Sequence, residues 1–457
     1  MTKRDELVTR QRSAVDDGLL AASKRLRWSR ERLAAERERR LRDILTWSTR
    51  QSPFHRDRLA GVDTATFTVA DLGRIPPMTK QDMMDNFDRI VTDGALTLTR
   101  VNTHLEHLDD DSYLLDKYRT IVSGGSSGYR GVFVYGWDDW ATFVLLQARW
   151  EARLVTDDTA RGSRVASLFA KEAKHVSGAM HAFLADASDP ICHLPATLPL
   201  RQLVAGLNAA QPVRLQGYPT VIGLLADEAL AGRLHIGPSQ IRTCGELLTD
   251  DVREAARSAW GVEIFDFWGA SEGVYAYPCG QGPGMHLPDD LVIVEPVDES
   301  GRPVPPGMPA AKIYLTNLYN FAQPLIRYEL ADALTLLDGP CPCGCAHSRI
   351  DKIVGRFEDV LKYPGGVAVN PLGFDAALLR NPEVTEGQVL QTRRGVRVLV
   401  RVKCRTDLAT LRNDIRSVLT DAGLQDPEVT VHSVDALDRL WSGKLRRFVP
   451  IPGGLPA

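Results

Sequence analysis

A run of glycine and serine residues forms the first segment whose composition could do chemistry. It reads Ser123-Gly124-Gly125-Ser126-Ser127-Gly128-Tyr129-Arg130-Gly131 and follows the apolar pair Ile121-Val122. Glycines let consecutive backbone N–H groups converge on an anion, and serine hydroxyls add further donors. The run could therefore cradle a phosphate. It lacks the Lys-Ser/Thr ending of a P-loop and the Gly-x-Gly-x-x-Gly spacing, so taken alone it fits an ordinary Gly/Ser-rich loop better.

A second motif offers two different chemistries. The stretch Trp268-Gly269-Ala270-Ser271-Glu272-Gly273 contains the Gly-x-Ser-x-Gly pattern of a nucleophile elbow, in which Ser271 would attack an ester. An elbow needs a helix after the serine, whereas the sequence continues with Pro278 and Gly280, and no histidine is marked out as a base. The pattern therefore disfavours a hydrolase. Upstream, Cys244-Gly245-Glu246 precedes a helix predicted from about 249 to 260.

Charged motifs follow later in the chain. They are Arg327-Tyr328-Glu329-Leu330-Ala331-Asp332, then Val354-Gly355-Arg356-Phe357-Glu358, and near the end Trp441-Ser442-Gly443-Lys444. Each of them alone is most simply a charged surface cluster. Their order along the chain, after the two earlier motifs, is what makes them informative.

Cysteines and a histidine supply a candidate metal site. Cys341 and Cys343, with Cys279 and His286 from an earlier segment, provide three thiolates and one imidazole, an acceptable closed tetrahedral set for zinc. Spacing alone does not decide between this set, the rival ligands Cys345 and His347, and free reduced cysteines. With no open coordination position, such a site would hold the fold together and take no part in catalysis.

The patterning around these motifs predicts two domains. Residues 1–50 form a charged helical lead-in, in which acidic residues interleave with arginines as on a solvated helix face. From about 100 to 335, β-branched and aromatic runs alternate with helical stretches, which indicates an α/β fold with a large sheet. Beyond 356 the pattern predicts a small α+β domain. The division is 1–356 for the large domain and 357–457 for the small one.

Composition and charge exclude several classes of protein. The chain has 457 residues, of which 44% are hydrophobic and 25% charged, and its net charge is -3. No apolar run approaches the roughly 18 residues that a membrane-spanning helix needs. The charge balance gives no reason to expect a nucleic acid or a membrane as partner. Charged residues begin the chain with no apolar segment of a secretory signal, so we expect a cytoplasmic protein.

Taken together and in this order, the motifs resemble those of the adenylate-forming superfamily, and within it the phenylacetate-CoA ligase-like branch. The resemblance extends from Ser52-Pro53-Phe54-His55 to Lys444. It implies a large N-terminal adenylation domain with several sheets flanked by helices, followed by a mobile α+β C-terminal domain. Tyr129-Arg130-Gly131 replaces the usual Lys-Pro ending of the phosphate loop, and the Thr-Gly usually placed before Asp332 is missing.

The same resemblance implies roles for individual residues. Glu272 would help to hold magnesium and Lys444 would enter the active site during adenylation; we take these two as catalytic. Asp332 would bind the ribose hydroxyls, and Arg356 would lie at the hinge, with rotation near Phe357 and Glu358. The other residues expected to bind the nucleotide are Ser123, Gly124, Gly125, Ser126, Ser127, Gly128, Gly245, Glu246, Trp268, Gly269, Ala270 and Ser271.

The implied activity is ligation in two steps. ATP and Mg²⁺ would convert a carboxylic acid, aryl or arylacetic, to an acyl-adenylate, and coenzyme A would then accept the acyl group. An adenylating enzyme that serves an amine, a carrier-protein thiol or an inorganic nucleophile is the alternative, and a zinc-bearing scaffold without turnover is a third. The branch often carries cysteines and a histidine at comparable places, which favours structural Zn²⁺. The sequence does not identify the acid, and it is compatible with a monomer or a homo-oligomer.

Overall fold

The computed structural model describes residues 3–108, 112–123, 131–154, 164–170, 173–184, 191–351, 353, 355–356, 360–369, 373–374, 377–378, 381, 383–402, 407–439 and 445–451. Its helices are α1 Lys3–Arg25, α2 Arg30–Gln51, α3 Pro53–Arg58, α4 Lys80–Asp85, α5 Phe87–Ile90, α6 Leu98–Glu106, α7 Trp137–Leu154, α8 Val176–Leu184, α9 Leu200–Ala210, α10 Pro219–Leu230, α11 Asp250–Trp260 and α12 Ala409–Asp421. Short 3₁₀ helices cover Val69–Arg74 and Pro364–Gly366.

The strands are mostly short. They are β1 Arg119–Val122, β2 Val132–Tyr135, β3 Val165–Leu168, β4 Ile191–His193, β5 Arg214–Gly217, β6 Gln240–Cys244, β7 Ile264–Ala270, β8 Val274–Pro278, β9 Met285–His286, β10 Val292–Val297, β11 Lys312–Asn317, β12 Tyr328–Leu330, β13 Asp332–Ala333, β14 Leu336–Leu337, β15 Arg349–Ile350, β16 Gly355–Arg356, β17 Leu361–Lys362, β18 Ala368–Val369, β19 Val384–Thr392, β20 Gly395–Val402, β21 Glu428–Ser433 and β22 Phe448–Val449.

A nine-stranded sheet organises the large domain. Its order is β14-β15-β9-β8-β7-β6-β5-β3-β4. The strands β7, β6, β5, β3 and β4 pair in parallel, whereas β8, β9, β15 and β14 continue the sheet by antiparallel pairing. In the parallel part of such an open sheet, ligands bind beyond the carboxyl ends of the strands. The expected α/β fold class is confirmed. We therefore expect a ligand site at the carboxyl ends of the parallel strands.

The charged lead-in forms two helices instead of one. Residues 26–29 interrupt it, and the Ser29 hydroxyl caps α2 by accepting a hydrogen bond from the backbone N–H of Arg32. On the outer face of α2, Arg39 forms an ion pair with Asp43, while Leu41 and Ile44 are buried on the inner face. The segment is therefore a packed helical layer with a solvated face.

A separate hydrophobic core lies in the C-terminal part of the chain. The sheet β21-β20-β19-β22 packs against α12, and its core includes Leu361, Val398, Ile415 and Phe448. The nearest described strand before it, β16, pairs instead with β13 of the large domain. The boundary at 356 stays a prediction, and it falls between these two groups of contacts. Among the described residues, none of the helices combines the length and the hydropathy that a membrane-spanning segment needs.

The strand after β7 explains why the Gly-x-Ser-x-Gly pattern is not a nucleophile elbow. Ser271 lies in a turn directly after β7, and the chain then enters β8, which runs antiparallel to β7. A nucleophile elbow requires a helix at this point. Ser271 is also buried, with 7% of its surface exposed. The hydrolase interpretation is therefore rejected.

Candidate active site

Two predicted motifs meet at the carboxyl edge of the parallel strands. β6 ends at Cys244 and is followed by Gly245, whose φ of +84° suits glycine, and by Glu246. The neighbouring strand β7 contains Trp268, Gly269 and Ala270 and is followed by Ser271 and Glu272. Because β6 and β7 are parallel neighbours with Cys244 opposite Phe267, both motifs leave the sheet at the same edge.

Asp332 joins a third motif to this edge. The indole Nε1 of Trp268 donates a hydrogen bond of 3.2 Å to Asp332 Oδ1, and Asp332 is 5% exposed. In the short pair formed by β13 and β16, Asp332 lies opposite the backbone of Arg356. Residues 64 positions apart are thus brought into direct contact. The carboxylate that we expect to bind ribose lies beside the Trp268 motif and next to the predicted hinge.

The turn that carries Glu272 is held by three side chains that the sequence motifs did not identify. Tyr135 donates its hydroxyl to the Ser271 carbonyl at 2.6 Å, Asn317 donates its amide to the Glu272 carbonyl at 3.0 Å, and Tyr319 donates to the Gly273 carbonyl at 2.8 Å. A Cβ at Gly273, where φ is +93°, would lie 2.2 Å from Asn317 Nδ2. The turn therefore requires glycine, and the Glu272 backbone is fixed.

Aromatic side chains could line an acyl pocket, and the sequence offers Tyr135, Trp140 and Tyr275 for it; the first two are core residues. Tyr135 and Trp140 are fully buried, and Tyr135 stacks on Phe143 at 5.6 Å between ring centroids. Burial raises the pKa of the Tyr135 hydroxyl well above its ordinary value, so it stays a neutral donor to Ser271. A third candidate, Tyr275, is half-buried and packs over Gly269, where a Cβ would lie 2.7 Å from its ring.

The Gly/Ser loop is described only at its ends. Gly124, Gly125, Ser126, Ser127 and Gly128 lie outside the described residues. The backbone N–H of Ser123 donates to the Gly131 carbonyl at 2.9 Å, and the Gly131 N–H donates to Ser123 Oγ at 2.9 Å. These bonds close the base of the loop on the antiparallel hairpin of β1 and β2. Ser123 Oγ therefore has a structural role at the base of the loop.

Glu246 contacts both domains. Its Oε2 atom accepts hydrogen bonds from the backbone N–H and the hydroxyl of Thr220, at 3.1 and 2.8 Å. Its Oε1 atom accepts the backbone N–H of Leu445, 2.7 Å away in the C-terminal domain. Lys444 itself lies outside the described residues. The residue that follows Lys444 is nevertheless bound to the loop after β6.

The four predicted zinc ligands form one cluster. The ligand atoms of Cys279, His286, Cys341 and Cys343 all lie within 4.8 Å of one another. Cys279 Sγ and Cys341 Sγ are 3.1 Å apart, too far for a disulfide, and Cys343 Sγ lies 3.3 Å from His286 Nε2. Bonds of about 2.0 to 2.3 Å from one central ion could reach all four atoms. The donor set and its geometry therefore fit a closed zinc site.

The surroundings of the cluster support this ligand set over its rivals. His286 Nδ1 lies 3.1 Å from the His347 carbonyl and donates to it, which leaves Nε2 facing the thiols as a metal ligand requires. The Nδ1 atom of His347 is engaged elsewhere, because it lies 3.1 Å from the Asp289 backbone nitrogen and 3.0 Å from the Leu287 carbonyl oxygen. Cys345 lies outside the cluster, and burial raises the pKa of its thiol to about 11.

Comparisons with known proteins agree with the resemblance that the motifs carry. No protein-family model matches the chain. It is 26% identical over 378 residues to the phenylacetate-coenzyme A ligase of Thermus thermophilus. The alignment covers 80% of this chain and 79% of that protein. It is 23% identical over 334 residues to Protein CapK of Staphylococcus aureus, covering 71% of this chain and 68% of that one.

Solved structures show the same fold. A 2-hydroxyisobutyryl-CoA ligase in the postadenylation state, in complex with R3-HIB-AMP, superposes with a TM-score of 0.69 at 19% identity. The match covers 91% of this chain and 88% of that one. The same ligase with 2-HIB-AMP and CoA in the thioesterification state superposes with a TM-score of 0.59 at 20% identity. That match covers 93% of this chain and 91% of the ligase.

Proposed function

We propose that this chain, which has the fold of the adenylate-forming coenzyme A ligases and is related in sequence to phenylacetate-coenzyme A ligases, activates a carboxylic acid with ATP and transfers it to coenzyme A. An aryl or arylacetic acid is the substrate that the relative's name favours. The single observation that carries the proposal is the hydrogen bond from Leu445 to Glu246, since it brings the C-terminal domain next to the edge where the nucleotide motifs meet.

In the first step a carboxylate oxygen of the acid forms a bond to the α-phosphorus of ATP, and the bond from that phosphorus to pyrophosphate breaks. Two anions must approach each other, so cationic groups and N–H donors have to be in position beforehand. Lys444 would supply a compact ammonium charge. Asp332 would accept the ribose hydroxyls, while Gly245 and Glu246 would border the adenine. The Gly/Ser loop would bind the phosphates.

Glu272 is suited to bind magnesium. Its buried carboxylate belongs to a turn whose backbone is fixed, and magnesium usually binds one or two carboxylates together with substrate phosphates. Magnesium would share the negative charge of the departing pyrophosphate. The contribution of the protein is to hold the Glu272 side chain at the same edge as Asp332 and Trp268.

In the second step the sulfur of coenzyme A attacks the acyl carbon, and the bond from that carbon to the AMP oxygen breaks. The thiol needs access to a carbon that the first arrangement encloses, so the C-terminal domain must rotate. The predicted hinge near Phe357 and Glu358 lies directly after Arg356, whose backbone pairs with Asp332. Rotation there would leave the nucleotide pocket assembled.

Zinc has a structural role in this proposal. Cys279, His286, Cys341 and Cys343 would occupy all four positions of a tetrahedral ion, so no position would be open to substrate. The ion would join the segment between β8 and β9 to the loop between β14 and β15, at the antiparallel side of the large sheet.

The test is a screen for pyrophosphate release over aryl, arylacetic and fatty acids, with ATP and Mg²⁺, in the presence and absence of coenzyme A. We expect at least one acid to release pyrophosphate and to give a thioester when coenzyme A is added. Release without any thioester product would move the function to another acceptor. No release with any acid, from protein that is folded and binds ATP, would favour a scaffold without turnover.

A further inference from the structure

Arg439 connects the two domains. It lies in the C-terminal domain, just before the segment that contains Lys444. Its Nη1 atom donates a hydrogen bond of 2.9 Å to the hydroxyl of Thr220 in the large domain, and its Nη2 atom donates to Glu386 Oε1. Glu386 is buried on β19 and accepts a second guanidinium, that of Arg401, at 2.8 Å. The C-terminal domain thus orients Arg439 through Glu386.

Thr220 connects this cation to a carboxylate. It occupies the start of α10, beyond the carboxyl end of β5. A hydroxyl has one hydrogen to donate and lone pairs to accept with. Its neighbour Glu246 can only accept and its neighbour Arg439 can only donate, so the hydroxyl donates to Glu246 Oε2 and accepts from Arg439. One small side chain therefore links two charged groups of different domains.

Leu445 binds the other oxygen of the same carboxylate. Its backbone N–H donates to Glu246 Oε1 at 2.7 Å, and Leu445 also forms an antiparallel bridge with Arg439. Arg439 and Leu445 stand on either side of residues 440–444. Arg439 and Leu445 are therefore both linked to Glu246, Leu445 directly and Arg439 through Thr220. The geometry is that of a clamp on the base of the segment, closed by a residue of the large domain.

Apolar packing is incomplete beside this clamp. A cavity of about 400 Å³ separates α10 and α11 from the C-terminal domain, and its lining includes Thr220, Leu247, Val384, Glu386 and Leu445. Small, polar contacts between domains are the kind that water can replace at low cost when the domains move. The clamp can therefore set one domain arrangement without making it permanent.

We propose that Thr220 and Arg439 are positioning residues that hold the C-terminal domain in the arrangement for adenylate formation, and that the clamp opens before thioester formation. This inference rests on the proposed two-step function. It assigns no contact with substrate to either residue. They act through Glu246, which binds the residue that directly follows Lys444 in the chain.

The experiment compares Thr220→Val with Thr220→Ser, because valine has the shape of threonine without the hydroxyl and serine retains it. Adenylate formation is followed as acid-dependent pyrophosphate release. Thioester formation is measured separately, from chemically prepared acyl-adenylate and coenzyme A. We expect T220V to slow adenylate formation about tenfold or more and to leave the second step within about twofold, with T220S close to the wild type in both. Arg439→Ala should reproduce the effect of T220V.

An equal loss in both steps, or a T220S variant as slow as T220V, would show a general structural role and overturn the proposal. Small-angle scattering of the free proteins gives a readout that needs no activity, and we expect a larger radius of gyration for T220V than for T220S. If the wild type activates no acid, the proposed function fails while a larger radius still supports the clamp. An unchanged radius together with unchanged rates would refute the clamp itself.

Discussion

Asp332 and Glu246 bind their surroundings in different ways, and this difference separates their expected roles. Asp332 accepts the Trp268 indole through Oδ1 at the edge of the sheet, which suits a carboxylate that binds hydroxyls of a ligand. Both oxygens of Glu246 are already engaged, one by Thr220 and the other by Leu445. We therefore expect the adenine to meet the backbone of Gly245 and Glu246, while the Glu246 carboxylate positions the C-terminal domain.

Lys444→Ala tests the central charge of the site. Removing the ammonium group takes away a cation that stabilises charge in the transition state, and the loss of one such preorganised donor lowers kcat by roughly 100- to 1,000-fold. We expect that decrease in acid-dependent pyrophosphate release, measured at saturating ATP and acid. Lys24→Ala, at an exposed position of α1, is the control and should keep the wild-type rate. Pyrophosphate release at a normal rate from K444A would disprove the assignment.

Cys341→Ser tests whether the cysteine and histidine cluster binds zinc and stabilises the sheet. The substitution removes one of the four ligands that join the segment after β8 to the loop before β15. A metal present at about 1,000 times its Kd stabilises a protein by about 4 kcal/mol. We expect the free energy of unfolding to fall by that order, and the zinc content, measured by elemental analysis, to fall from one ion per chain.

Cys192→Ser is the matched control for that experiment. Cys192 lies on β4, outside the cluster and at the other edge of the nine-stranded sheet. This variant should retain the ion and most of the stability. A wild-type protein without stoichiometric zinc, or a C341S variant that keeps it, would contradict the zinc assignment.

His55 ties α3 to the segment before β12, and its burial makes the stability depend on pH. Its Nε2–H donates to the Pro324 carbonyl at 3.0 Å, and its Nδ1 has no hydrogen-bond partner among the described residues. Protonation of Nδ1 would create a buried donor. Burial lowers the pKa of His55 from 6.5 to about 3 in the folded protein.

The sign of the pH dependence follows from this lowered pKa. Above pH 6.5 the histidine is neutral in both the folded and the unfolded chain. Below that, the unfolded chain binds the proton first, so the folded state loses up to about 1.4 kcal/mol per pH unit until the pH approaches the folded pKa. We expect His55→Gln to flatten this part of the dependence, measured by urea denaturation from pH 7 to pH 4. His235→Gln, at an exposed position, should leave this pH dependence of the stability unchanged. Parallel curves for wild type and H55Q would contradict the prediction.

The C-terminal part has a hydrophobic core of its own, so we expect it to move as a unit while the large sheet stays intact. Two hydrophobic clusters line the nine-stranded sheet, and a separate one lies between α12 and the four-stranded sheet. The contacts of Glu246 with Leu445 and of Thr220 with Arg439 join them by polar groups beside a cavity. This combination suits a molecule that needs two domain arrangements for two consecutive reactions.

Phe357→Pro tests the predicted hinge. Proline fixes φ near -65° and restricts the preceding residue, so it should limit rotation at this point of the chain. We expect adenylate formation to continue and thioester formation from prepared acyl-adenylate to slow at least about tenfold. Phe357→Ala, which removes the same side chain without restricting the backbone, is the control. Equal effects of the two substitutions on the second step would place the rotation elsewhere.

Local sequence patterns determined the fold class and the identity of the motifs. The β-branched and aromatic runs from about 100 to 335 indicated a large sheet, to which Ile264–Ala270 belongs, and the order of the motifs indicated the adenylate-forming fold. These signals are local, because side-chain periodicity and turn chemistry depend on neighbouring residues. The Pro and Gly after Ser271 were likewise enough to disfavour a hydrolase before the strand β8 was seen.

Tertiary structure alone decided what supports the motifs. Asn317 holds the Glu272 turn from 45 residues away, and Tyr135 holds Ser271 from 136 residues away. Only the fold of the loop before β15 selected Cys343 over Cys345. The link from Thr220 to Glu246 and Arg439 depends on two chain segments that meet across a domain boundary. Such contacts leave no pattern in the sequence, because a hydrogen bond depends on distance in space and these partners have no fixed spacing along the chain.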